Sequence, residues 1–183
     1  MPSAATDILC RVLLVAVALI MSPLFAHSQE AGEAGTETAT PSERPGQTGL
    51  PLPRFVSLRA GEVNMRTGPG VRYPIDWVYN RRDLPVEVID EFDTWRRIRD
   101  WQGTVGWVHQ SMLQGRRTLL VTGRRLLRRE PRDDAVGLAW VEAGVIGELG
   151  DCERAWCEVE VGGFAGWLKS DEFYGTYRRD AGQ

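Results

Sequence analysis

Two blocks of this sequence repeat one order of tryptophans and glycines. Trp95-x-x-Ile98 followed by Gly103-x-x-Gly106-Trp107-Val108 returns as Trp156-x-x-Val159 followed by Gly163-x-x-Gly166-Trp167-Leu168. The glycine-tryptophan blocks lie 60 residues apart and the leading tryptophans 61, a slip that one turn absorbs. Upstream, Met65-Arg66 with Pro69 corresponds to Leu127-Arg128 with Pro131. Self-similarity at a fixed period restricts the chain to copies of one small unit. The unit is made of strands. PVEVID places Val86 and Val88 on one face, RRIRDW repeats the alternation around Ile98, and GWVHQSML follows a glycine. Only HQSML offers as much as one helical turn. The hydrophobic pattern therefore predicts an all-β fold of two similar domains in tandem, over 55–114 and 115–177 with a short tail at 178–183.

Ahead of the repeats lie two segments of other kinds. Arg11 followed by VLLVAVALIMSPLF has the length of a signal-peptide core and is shorter than a membrane span. Ala26 and Ser28 are small residues at cleavage spacing, so a cut after either one ends a signal peptide at about residue 28 and sends the mature chain to the periplasm or the medium, the alternative being an uncleaved anchor. Cys10 precedes the apolar run and leaves with it. Residues 29–54, QEAGEAGTETATPSERPGQTGLPLPR, hold almost nothing to bury and read as a disordered linker. The mature chain keeps Cys152 and Cys157, bracketing ERAW. In an oxidising compartment a disulfide across a hairpin is the favoured reading of that spacing, against a redox pair or a metal site, for which the C-x-x-C motif and nearby histidines are missing.

The stretch VNMRTGPGVRYP, Val63 to Pro74, sets a strand against a cluster of turn formers. Pro69-Gly70 suits the centre of a type II turn, with Gly68 and Gly70 free to take positive φ. Asn64 is placed to brace that loop, and Arg66 and Tyr73 stand on its arms. Two roles for them stay open: Arg66 paired with an acid and Tyr73 packed, or both facing a ligand.

With LPVEVID and DTWRRIRDWQGTVGWVHQSML in order behind it, this stretch resembles the bacterial SH3-type domain, whose pattern runs apolar-N-x-R-x-G-P, V-x-V, W-x-x-V/I and G-x-x-G-W-V. The second copy, LLRREPRDDAVGLAWVEAGVIGELGDCERAWCEVEVGGFAGWLKS, keeps the tryptophans but carries LLRREP where the first has N-x-R-x-G-P. The resemblance implies two tandem small SH3-like barrels of about five strands each, used for recognition of cell-wall (peptidoglycan) peptides or an envelope protein, or as a scaffold subunit with no wall ligand. It places Trp107 and Trp167 in the cores. Trp95 and Trp156 are read at the barrel edges. Asn64, Arg66, Tyr73, Trp77 and Trp101 form the candidate ligand groove. Trp77, Tyr79 and Trp101 serve either as an aromatic platform or as cover for the junction between copies.

Elimination agrees with a non-catalytic reading. His109 has no partner motif, the acidic neighbours Glu91 with Asp93 and Asp133 with Asp134 read as solvated charge, and no residue set implies a cofactor or metal. The formal charge of −3 does not advertise nucleic acid. It is unevenly spread: eight arginines balance eight acids over 55–114, seven arginines face one acid over 115–132, and two bases face ten acids over 133–174. Internal docking of the basic bridge is the favoured reading, against binding of an acidic partner or nucleic acid, and it implies a monomer whose two barrels pack together with no membrane contact after cleavage.

Overall fold

The computed structural model describes residues 44–177. The expected signal peptide, the first part of the expected linker and the tail 178–183 lie outside the described residues. In chain order the strands are β1 (Arg44–Pro45), β2 (Pro51–Leu52), β3 (Arg54–Leu58), β4 (Val63–Arg66), β5 (Ile75–Tyr79), β6 (Pro85–Phe92), β7 (Trp95–Arg99), β8 (Val105–His109) and β9 (Leu113–Gln114). The second copy follows as β10 (Thr118–Val121), β11 (Arg125–Arg128), β12 (Gly137–Val141), β13 (Ile146–Glu153), β14 (Trp156–Val161), β15 (Phe164–Lys169) and β16 (Phe173–Tyr174). A 3-10 turn, Gln110–Met112, lies within HQSML.

Two antiparallel seven-stranded sheets result, ordered β5-β4-β8-β7-β6-β3-β9 and β12-β11-β15-β14-β13-β10-β16. Each position of the first order has its counterpart in the second, so the duplication extends to topology. It extends to irregularities as well: the register slips between Met65 and Arg66 and again between Leu127 and Arg128, and between Val88 and Asp90 and again between Leu149 and Cys152. Arg66 faces Trp107 across the sheet as Arg128 faces Trp167. The all-β expectation of two tandem SH3-like units is what the structure shows. Neither sheet closes by a hydrogen-bonded seam, and the short flanking strands raise the count from about five to seven.

Alternation decides what each core contains. Leu58, Met65, Val86, Val88, Ile98 and Val108 fill the first, and Leu119, Val121, Leu127, Val159 and Leu168 the second. Trp107 and Trp167, expected in the cores, are only half-buried, because Gly106 with Val108 and Gly166 with Leu168 take the inward positions of those strands. Trp95 is the buried member of the repeat, edge-on to His109 with ring centres 5.4 Å apart. Cys152 and Cys157 are directly opposed and disulfide-bonded. The loop between them is tighter than ERAW, since Glu153 and Trp156 also pair and Arg154, at φ 56°, begins a two-residue turn.

The end of the linker is ordered, which corrects the reading of 29–54 as disordered throughout. β1 and β2 form a small hairpin strap, and Leu52 is buried in the first core. Glu91 holds the strap. Its carboxylate accepts bonds from Thr48 N (2.8 Å), Thr48 Oγ1 (2.9 Å) and Arg54 Nη2 (2.7 Å), while Arg96 Nε lies 3.3 Å away. Asp93, by contrast, keeps its side chain at the surface, and Asp133 and Asp134 are surface carboxylates that meet Lys169 (2.5 Å) and Arg132 (3.2 Å).

The copies are packed together by residues that the sequence did not single out. Phe55 meets Tyr174 edge-on and Tyr177 at a tilt, with ring centres 5.1 and 4.7 Å apart. Tyr174 donates to the carbonyl of Arg99 (2.9 Å), and Tyr177 donates to Glu87 (2.7 Å), which also accepts from Arg99 (2.6 Å). Leu120 of β10 is buried in the first copy's core, with Ile146 and Tyr174 against the same cluster. Arg81 donates to the carbonyl of Gly144, and Arg116 bridges Asp83 and Glu148. The basic bridge is neutralised largely within the molecule: Arg124 pairs with Glu142, Arg128 with Glu172 and Arg132 with Glu130 and Asp134.

Candidate functional site

The candidate loop joins β4 to β5, and β5 is a free end of its sheet. Arg66 points its guanidinium back along the loop and donates to the carbonyls of Val71 (3.1 Å) and Tyr73 (2.7 Å). Thr67 N–H donates to Pro74 (3.1 Å) and closes the base. Arg66 therefore braces the loop's backbone and forms no ion pair with an acid among the described residues. The proposed type II turn is absent: neither Gly68 nor Gly70 has positive φ. Gly68 is needed for space, since a Cβ there would lie 2.5 Å from Cδ1 of the Tyr73 ring. We expect Gly68→Ala to destabilise the chain by about 1–3 kcal/mol, the usual cost of overpacking, read as a lowered urea midpoint. An unchanged midpoint would mean the Tyr73 ring is loosely held.

The five candidates divide by exposure. Asn64 is exposed on β4, opposite Val78. Trp77 is 50% exposed on β5; Ile75 shares its side of the strand, and Val78, also open to solvent, turns to the other side with Asn64 opposite it. Tyr73 is half-buried under Gly68, with the Arg72 guanidinium 5.4 Å from its ring centre. Trp101 sits at the β7–β8 turn packed against the first core, so its ring is support and not a free platform. Tyr79 is buried and donates to Asp100 (3.1 Å), and burial raises its phenol well above the ordinary range, the Asp100 charge adding to the effect. Neither Trp77, Tyr79 nor Trp101 is among the aromatic contacts across the junction, which Phe55, Tyr174 and Tyr177 supply.

The second copy has rebuilt the same place. Arg128, the counterpart of Arg66, lies 5.3 Å from the ring centre of Trp156, and Lys169 lies 5.2 Å from it. That indole is held by two cations. The edge strand β12 instead exposes Trp140, at 58%, with Arg124 4.6 Å from its ring centre. His109 caps the 3-10 turn: its Nδ1 is 2.7 Å from Ser111 Oγ and 3.3 Å from Ser111 N. Histidine and hydroxyl two residues apart make a local cap.

The sequence profile of the bacterial SH3 domain matches twice, at residues 59–115 and 122–175. The chain belongs to this family. Bacterial SH3 domains are in general binding modules, and both matches fall on the duplicated sheets. No curated protein matches the chain. Among solved structures it is similar to NlpC1 and NlpC2 from Trichomonas vaginalis, at 12% and 13% identity and a TM-score of 0.32 for each. The alignments cover 68% of this chain but 46% and 48% of those two, so it spans under half their length.

Proposed function

We propose that this protein is an exported, non-catalytic binding module that holds cell-wall (peptidoglycan) peptide on the free-edge face of its first bacterial SH3 domain. The observation that carries the reading is the pair Ile75 and Trp77, half-exposed on one side of an edge strand beside a loop whose backbone Arg66 braces. Clustered apolar side chains left in water mark interaction surfaces, and a tryptophan at their centre is the usual anchor. Asn64, exposed across from Val78 on the other side of the same edge, supplies amide hydrogen bonds for a peptide that wraps this edge. Arg66, Tyr73 and Trp101 act through shape: two fix the loop and one supports the adjoining turn from the core.

Export is supported by the sorting segment read in residues 1–28 and by the disulfide, which fits an extracellular protein. Among the described residues no helix is long and apolar enough to cross a membrane. The test removes exposed groups only. Asn64→Ala with Trp77→Ala should lower retention on purified sacculi at least tenfold while the melting temperature stays within a few degrees. Unchanged retention removes this face. If the unaltered protein is not retained but co-purifies with an envelope protein, the scaffold reading replaces this one; the rigid packing of the two copies through Leu120, Tyr174 and Tyr177 favours that second reading.

A further inference from the structure

A groove of about 500 Å³ lies beside the strap, on different residues from the face above, and within the range of small-ligand sites. It exists because β9 is short. β3 pairs with β6 along Arg54–Ser57, but with β9 only at Ser57 and Leu58, after which the chain leaves through Gly115. In an antiparallel ladder, successive residues turn their backbone groups to alternate sides. Leu58 N–H donates to Leu84, which assigns Leu58, Val56 and Arg54 to the β6 side and Ser57 and Phe55 to the other. Ser57 finds Gln114 there. Phe55 has passed the end of β9, so its N–H and C=O face the groove with no strand beside them among the described residues.

The side chains around this gap are of two kinds. Val56, Val88 and Leu113 are apolar lining. Arg54, Arg96 and Gln110 form one polar cluster: both arginines converge on Oε1 of Glu91, and Arg96 donates to Gln110 (2.6 Å) although it is only 5% exposed. Two guanidiniums against one carboxylate leave a net positive charge at that end. Here we propose a second ligand site: the groove takes the carboxyl terminus of an extended peptide as an added strand antiparallel to β3, bonded to Phe55, with an apolar last side chain among Val56, Val88 and Leu113 and the terminal carboxylate at Arg54, Arg96 and Gln110. The direction follows from the charge. An antiparallel strand leads its C-terminus past Arg54, whereas a parallel one would turn it toward Gly115, away from the arginines. The open stretch Arg54–Val56 has length for about three residues, and main-chain bonds with alternate pockets are the way sheet edges recognise peptides.

The test uses acetyl-Thr-Val-Val as free acid and as carboxamide, titrated into the isotope-labelled mature chain. The acid should shift the amide resonances of Phe55, Val56 and Gly115 and bind at least tenfold more tightly than the carboxamide. Gln110→Glu keeps an acceptor for Arg96 but cancels the positive charge; it should abolish the preference for the acid and leave the melting temperature in place. Trp77→Ala should change nothing, which separates this site from the wall-peptide face. Equal affinity for acid and amide, shifts confined to Ile75–Val78, no binding at millimolar peptide, or a preference that survives Gln110→Glu would each overturn the proposal.

Discussion

Glu91→Ala is expected to cost about 3–5 kcal/mol of unfolding free energy, the usual loss when one partner of a buried ion cluster is removed. The Glu91 side chain is 1% exposed and accepts from the strap and from β3, with Arg96 alongside it. Alanine would leave the Arg96 guanidinium buried without its carboxylate and release Thr48. Urea unfolding measures the loss; a change under about 1 kcal/mol would show that Glu91 does not hold the strap. The pH dependence has a fixed sign. Burial by itself raises the Glu91 pKa, but bonds from Thr48 and Arg54 outweigh it and the net value is lowered. A lowered folded-state pKa means the contribution is complete above the ordinary carboxylate range and is lost as pH falls through the folded value. Glu91→Gln should therefore flatten the acid limb of the stability profile relative to the unaltered protein.

Leu120→Ala is the second large effect, at about 2–5 kcal/mol for a fully buried leucine. Its interest lies in where the loss appears. Leu120 belongs to β10 of the second copy but is 2% exposed within the first copy's core. A unit of some sixty residues buries little by itself, and Phe55, Tyr174, Tyr177 and Leu120 join two such units. The chain should unfold in one transition, and the substitution should shift tryptophan fluorescence and far-ultraviolet dichroism together. Two separated transitions, with only one displaced, would rule out cooperative packing of the copies.

Local pattern carried the duplication into view because tryptophans and close-approach glycines are rare enough to repeat audibly: Gly106 must leave room for Met65 and Arg66, and Gly166 for Leu127 and Arg128. What stayed hidden depends on contacts between distant residues. The strap's proline, glycine and threonine look like linker until Thr48 meets a carboxylate 43 residues on. Glu91 beside Asp93 reads as a solvated loop carboxylate, whereas β6 runs on through it to Phe92. The register slip after Val88 inverts the faces, so that Glu91 turns in and Phe92 turns out. A run of contiguous Val-Ile within that strand was the available hint. Of the loop residues, Asn64 reads as the loop's brace, a part that Arg66 plays while Asn64 stays exposed, and no local pattern separates Trp77 from Trp101, whose exposure depends on the core beneath it. Glu87 is buried by the other copy, and no single-copy pattern reports that.

The tie between Phe55 and the pair Tyr174 and Tyr177 bears on how such a tandem can diverge. A duplicated module ordinarily frees one member to drift while the other keeps the work. Here the later member supplies part of the wall of the earlier one, so its terminal aromatics are answerable to a neighbour's integrity whatever happens to its own β11–β12 loop. Replacing Tyr174 or Tyr177 in the second half would therefore be felt at Phe55, Arg99 and Glu87 of the first.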